Sequence, residues 1–189
     1  MTTDRRQARA AGLSLVLAAL GALQAGCGLK PSAVQLVSYK DAYFPESCRV
    51  ELSDCTYRID AGNDVQVTSR VWRAGGGAPT QYLHIHVYWK PHPGKTFADS
   101  TTTDALLRYV VASEEGVAVY SGTGFAFLRQ RFGGRLQVDL ESARLHLTSR
   151  TGDVPDTLGE TRISGTLLAR QDAAATAALV REMTLAEGR

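Results

Sequence analysis

The sequence predicts an all-β domain, an antiparallel β-sandwich or open barrel, with one C-terminal α-helix. Runs enriched in β-branched and aromatic residues recur along the chain, and clusters of Gly, Pro, Asp and Asn separate them at near-regular spacing. Only the last segment has the composition of a helix. Short strands joined mostly by hairpins bury one face each, which is the pattern of a sandwich or barrel.

The elements follow in order. Residues 34–38, 49–52, 56–59, 65–72 and 81–89 read as strands, with apolar/polar alternation clearest in the longer runs. Residues 106–112 and 117–120 flank Ser-Glu-Glu-Gly, a hairpin turn with Glu114 and Glu115 at its tip. Residues 124–130 and 135–140 flank Arg-Phe-Gly-Gly, and 144–148 follows Glu-Ser-Ala, giving two more hairpins. A last strand, 161–170, leads into a helix over 172–187. Asp172 can cap that helix, its alanines favour it, and Leu179, Val180 and Met183 give it one apolar stripe. The βαβ alternation of a nucleotide-binding fold is missing.

The first 26 residues do not belong to this domain. Arg5, Arg6 and Arg9 precede an uncharged run of 17 residues, Ala10 to Gly26. That run is shorter than the roughly 20 residues an untilted membrane-spanning helix needs, and it ends on small residues, as a secretion signal does. A retained membrane helix is the alternative. The stretch "LQAGC", Leu23 to Cys27, resembles the lipobox of bacterial lipoproteins, with Gln24 where Leu is usual. The resemblance implies that Cys27 becomes a lipid-bearing N-terminus after cleavage of residues 1–26. It further implies a lipidated tether over 27–33 and a domain over 34–189. Gly28 after the cysteine, in place of the Asp that retains such proteins at the inner membrane, implies an outer-membrane lipoprotein facing the periplasm. Acyl chains anchor by about 0.8 kcal/mol per buried CH₂, with no spanning helix required.

Removing the leader changes the charge. The 21 basic and 19 acidic residues of the full chain become 18 and 18. The slight basicity of the precursor thus belongs to its export signal, and no nucleic-acid partner is indicated. With Cys27 assigned to lipid, Cys48 and Cys55 remain, an even pair that an oxidising periplasm would join as a disulfide. Two free thiols are the alternative.

Signatures of catalysis are sparse. There is no G-x-S-x-G elbow, H-E-x-x-H, Walker loop or C-x-x-C. Asp153 and Asp156, in a long connection over 149–159, are expected to face water, and so are Asp60 with Asp64 and Glu114 with Glu115. No catalytic residue is assigned.

One stretch carries chemistry. "QYLHIHVYWKPHPG", residues 81–94, holds three of the four histidines. On a strand, Leu83, Ile85, Val87 and Trp89 share one face as a core stripe. Tyr82, His84, His86, Tyr88 and Lys90 share the other. His84 and His86 then stand about 7 Å apart, the H-x-H spacing with which β-sheet metal sites present two nitrogens. A zinc or copper ion would need further ligands. His92 and His146 are the candidates, and no carboxylate lies within the stretch to orient an imidazole. The simpler expectation is an ordinary polar sheet face without a cofactor, and an intermediate one is that Tyr82, His84, His86 and Tyr88 form a binding face. The function expected is therefore that of a non-catalytic envelope lipoprotein, a binding or assembly module with an envelope protein as partner. The alternatives are a metal-binding protein or metalloenzyme using the histidines, and a carrier of a lipid or other hydrophobic ligand.

Overall fold

A computed structural model describes residues 32–41, 43, 45–71, 81–88 and 104–188. The leader, Cys27, Trp72, Trp89, His92 and the loop at 73–80 lie outside the described residues.

Eight strands follow one another around a closed barrel: β1 (Ala33–Ser38), β2 (Glu46–Ile59), β3 (Val65–Val71), β4 (Gln81–Val87), β5 (Ala105–Ser113), β6 (Gly116–Arg131), β7 (Arg135–Gly152) and β8 (Thr161–Gln171). Each pairs antiparallel with the next, and β8 closes on β1 from Ala33↔Thr166 to Ser38↔Thr161. Beyond the start of β1, β2 continues and pairs in parallel with β8 at Thr56↔Arg170. The helix α1 (Ala173–Glu187) follows β8 directly.

Of the two architectures expected, a sandwich or an open barrel, the barrel is the one formed, and it is closed. Both architectures bury one face of every strand, so the alternating pattern is common to them. What separates them is whether the outer strands pair. Here β1 and β8 do pair, and three long strands carry register shifts along the way. The segments 49–52 and 56–59 are one strand, β2, with a register shift between Ser53 and Thr56 where Asp54 has φ 50°. Likewise 117–120 and 124–130 are one strand, β6. The Glu-Ser-Ala turn expected at 141–143 is a β-bulge inside β7, where Ser142 has φ 50°. A bulge uses the same turn-type residues as a hairpin but bends the strand instead of reversing it.

The barrel interior is the main core. Val67, Leu83, Ile85, Leu145, Ile163 and Leu167 are all fully buried there. Three tyrosines enter it with their phenols satisfied. Tyr109 donates to Gln81 Oε1 (2.7 Å), Tyr120 to Asp156 Oδ1 (2.9 Å) and Tyr57 to the Gly134 carbonyl (3.3 Å). Asp156 therefore does not simply face water as expected; its Oδ1 also accepts from the Gly159 amide at 2.8 Å. A second, smaller core lies outside the barrel, where Leu179 and Met183 of α1 cover Tyr82, Val110, Val117 and Val119. Asp172 caps α1, its side chain accepting from the Ala175 amide at 2.9 Å.

The expected disulfide is also corrected. Cys48 and Cys55 are free thiols. They lie seven residues apart on β2, which at about 3.3 Å per residue separates them by roughly 20 Å. A disulfide needs Cα atoms within about 7 Å. No turn folds this stretch back on itself, since the break at Asp54 is a bulge within β2. Cys55 donates to Ser69 Oγ (3.2 Å), and burial pushes its thiol pKa up. Among the described residues, no helix is long and apolar enough to cross a membrane.

Candidate functional site

The histidine strand sits where its parity predicted. Leu83, Ile85 and Val87 of β4 point into the barrel, and Tyr82, His84 and His86 point out. The register then fixes their neighbours. His86 lies between Gln66 of β3 and Leu106 of β5; His84 lies between Thr68 and Arg108; Tyr82 lies between Arg70 and Val110.

Tyr82 does not belong to an open binding face. It is only 5% exposed, because α1 packs over it. Its hydroxyl donates to Glu182 Oε1 (2.9 Å), and Arg70 holds the other oxygen of the same carboxylate at 2.6 Å. One row further, Arg108 pairs with Glu187 near the end of the helix. Two cross-strand rows of the outer face are therefore fastened to α1, and His84 lies in the second of them, opposite Arg108.

Around His84, His86 and Tyr88, the chain gathers a polar cluster. Asp64, ending the β2–β3 turn, brings Oδ2 to 3.4 Å from His86 Nε2. The His86 and Tyr88 rings lie 4.5 Å apart, tilted by 32°. On β2, Arg58 Nη2 donates to Gln66 Oε1 (3.0 Å) and its Nε lies 3.2 Å from Asp60 Oδ1, while Gln66 Nε2 donates to Asp60 Oδ2 (2.6 Å). Asp60 is thus engaged with the sheet, where a solvated turn residue is expected, while Asp64 lies beside His86 without a hydrogen bond to it.

His84 is held neutral. Burial, reinforced by His86, Arg108 and Arg58, lowers its pKa from 6.5 to about 4. Its Nε2 is buried with no hydrogen-bond partner among the described residues. A neutral imidazole with an unpartnered nitrogen can accept a proton or ligate a cation, but its cationic neighbours oppose either gain of charge.

The other candidate ligands do not converge on it. Along one cross-strand row the residues run His84, Arg108, Ser121, His146. His146 is therefore three strand spacings away, about 14 Å, and its side chain faces solvent. His92 lies outside the described residues. Among the described residues, no three His, Cys, Asp or Glu side chains are grouped to hold a metal ion. What sequence reasoning missed are the groups from other elements: Asp64, Arg58, Gln66, Arg108 and Glu187. Parity marks Arg58, Gln66 and Arg108 as outward-facing, but only the strand order places them beside His84 and His86. No protein-family model matches the chain, and neither a curated protein nor a solved structure is significantly similar to it.

Proposed function

We propose that the protein is a non-catalytic lipoprotein of the cell envelope, anchored through Cys27 and facing the periplasm from the outer membrane, whose barrel acts as a rigid binding or assembly module. The observation that supports this reading best is the filled interior. Eight-stranded barrels are at the size where side chains can either fill the lumen or leave room for one small ligand. Here Leu83, Ile85, Tyr109, Tyr120, Leu145, Ile163 and Leu167 occupy it, all fully buried. Recognition then falls to the outer surface and the barrel ends, where a partner protein of the envelope would dock.

Two experiments test the reading. Cells given labelled palmitate incorporate it into the wild-type protein and not into a Cys27→Ser variant; equal labelling of both removes the anchor. Native mass spectrometry of the protein extracted from membranes gives the chain plus its covalent acyl groups. One equivalent of non-covalent lipid would instead favour the carrier. One equivalent of zinc or copper, lost in a His84→Ala/His86→Ala variant, would favour the metalloprotein.

A further inference from the structure

The hairpin joining β6 to β7 ends in a feature that barrel stability does not explain. Arg131 lies opposite Arg135, and Arg135 lies opposite Arg170 of β8, so three arginines stand in one cross-strand row. All three face outward, since the alternating neighbours Leu136 and Ala169 are the buried ones. Like charges directly opposed destabilise a sheet. Neither Arg131 nor Arg135 forms an ion pair among the described residues. Arg131 donates to Gln137 Oε1 at 2.8 Å, and Arg170 lies 3.5 Å from Asp172. In the adjacent β2–β3 turn, Asp60 pairs with Arg58, and Asp64 lies 3.4 Å from His86 Nε2 without a hydrogen bond. At the turn itself Phe132 is fully exposed, presented by Gly133 and Gly134, whose φ values of 76° and 69° few other residues adopt.

The route of the N-terminus supplies the partner. The Leu168 amide donates to Ser32 Oγ at 2.9 Å, so the chain enters the barrel two residues along β8 from Arg170, about 7 Å. Cys27 precedes Ser32 by five residues, a reach of at most about 18 Å. A lipid on Cys27 therefore keeps this part of the barrel close to the headgroups.

We propose that the β6–β7 tip is a membrane-docking surface: Arg131, Arg135 and Arg170 bind anionic phospholipid headgroups, and Phe132 seats in the interface between headgroups and acyl chains. This rests on the lipoprotein reading. Arginine rows gain from a negatively charged surface, and an aromatic ring favours the interfacial depth. Together they would fix the orientation of the barrel, which a lipid at a single point of attachment does not set.

The test uses the lipidated full-length product, reconstituted into vesicles of phosphatidylethanolamine and phosphatidylglycerol. A nitroxide is placed at Gln130→Cys near the tip or at Glu115→Cys in the β5–β6 turn, at the other end of β6, both in a Cys48→Ser background. Cys55 is part-buried with a raised pKa and stays unlabelled. The ratio of oxygen to neutral nickel-chelate collisions is expected to be at least about threefold higher at 130 than at 115, as interfacial burial requires. The difference should vanish in phosphatidylcholine vesicles. It should also vanish in a variant with Arg131→Gln, Arg135→Gln, Arg170→Gln and Phe132→Ser that keeps the parent's melting temperature. Equal ratios at 130 and 115 in protein that carries palmitate overturn the docking surface alone. Absence of palmitate overturns the lipoprotein reading beneath it.

Discussion

His84 shows how a single side chain couples this barrel to pH. In the folded protein its pKa is about 4, because burial and the charges of His86, Arg108 and Arg58 disfavour the imidazolium. In the unfolded chain it titrates near 6.5. Between those values the unfolded state binds the extra proton, so stability falls as pH drops from about 6.5 to about 4 and the contribution is complete above 6.5. Allowing for partial solvent screening, this amounts to about 2 kcal/mol. Urea unfolding at pH 7 and pH 4.5 should show that His84→Gln loses about 2 kcal/mol less than wild type on acidification. An identical loss in both would mean that His84 is charged in the folded protein. The cysteines make the opposite prediction, of indifference. Cys48 is exposed and Cys55 is held by Ser69. A reductant should therefore leave the melting temperature unchanged, whereas a disulfide across so short a loop would be worth about 2 to 3 kcal/mol. A fall of several degrees on reduction would show that the two thiols do pair.

At the scale of elements, the decisive contact is the seam between β1 and β8. Gly165 lies in β8 with φ 151°, and a Cβ there would approach the Ala33 carbonyl oxygen to 2.4 Å. Gly165→Ala must strain the backbone or push β1 away, at a cost of about 3 kcal/mol. Hydrogen exchange should then accelerate first in β1 and in residues 161–166; unchanged protection there would mean that the seam is not held closely. The outward and inward faces of β4, the β5–β6 turn and α1 were all legible in the sequence, because each depends on local periodicity or capping. Closure was not. Asp54 and Ser142 signal a break in the strand, and only the partner strand decides whether that break becomes a turn or a bulge. The same limit applies to the site. His84 and His86 announce a shared face, but Asp64 and Arg108 reach them through strand pairings that periodicity does not encode. Tyr82 shares the outward face by parity, and the apolar stripe of α1 does not say which sheet face it will cover.

For the whole molecule, closure and filling are one property. Closure pairs β1 with β8 and so removes the outer edges an open sheet would have; among the described residues, unpaired edge remains only where a strand outruns its neighbour, as β6 does past Gly124. The lumen must then hold either a ligand or side chains. In this protein bulky residues from facing strands meet across it: Leu83 and Ile85 from β4, Tyr109 from β5, Leu145 from β7 and Leu167 from β8. With the lumen packed in this way, a ligand-sized space has to be created before anything apolar can enter. Leu83→Ala would do so, at a cost of about 3 kcal/mol from lost burial and the cavity left behind. The variant, still folded, should take up a small apolar probe such as benzene, seen as shifts of methyl resonances lining the site, while the wild type shows none. Saturable uptake by the wild type, with affinity unaffected by Leu83→Ala, would mean that the barrel already contains a pocket and would return the protein to the carriers.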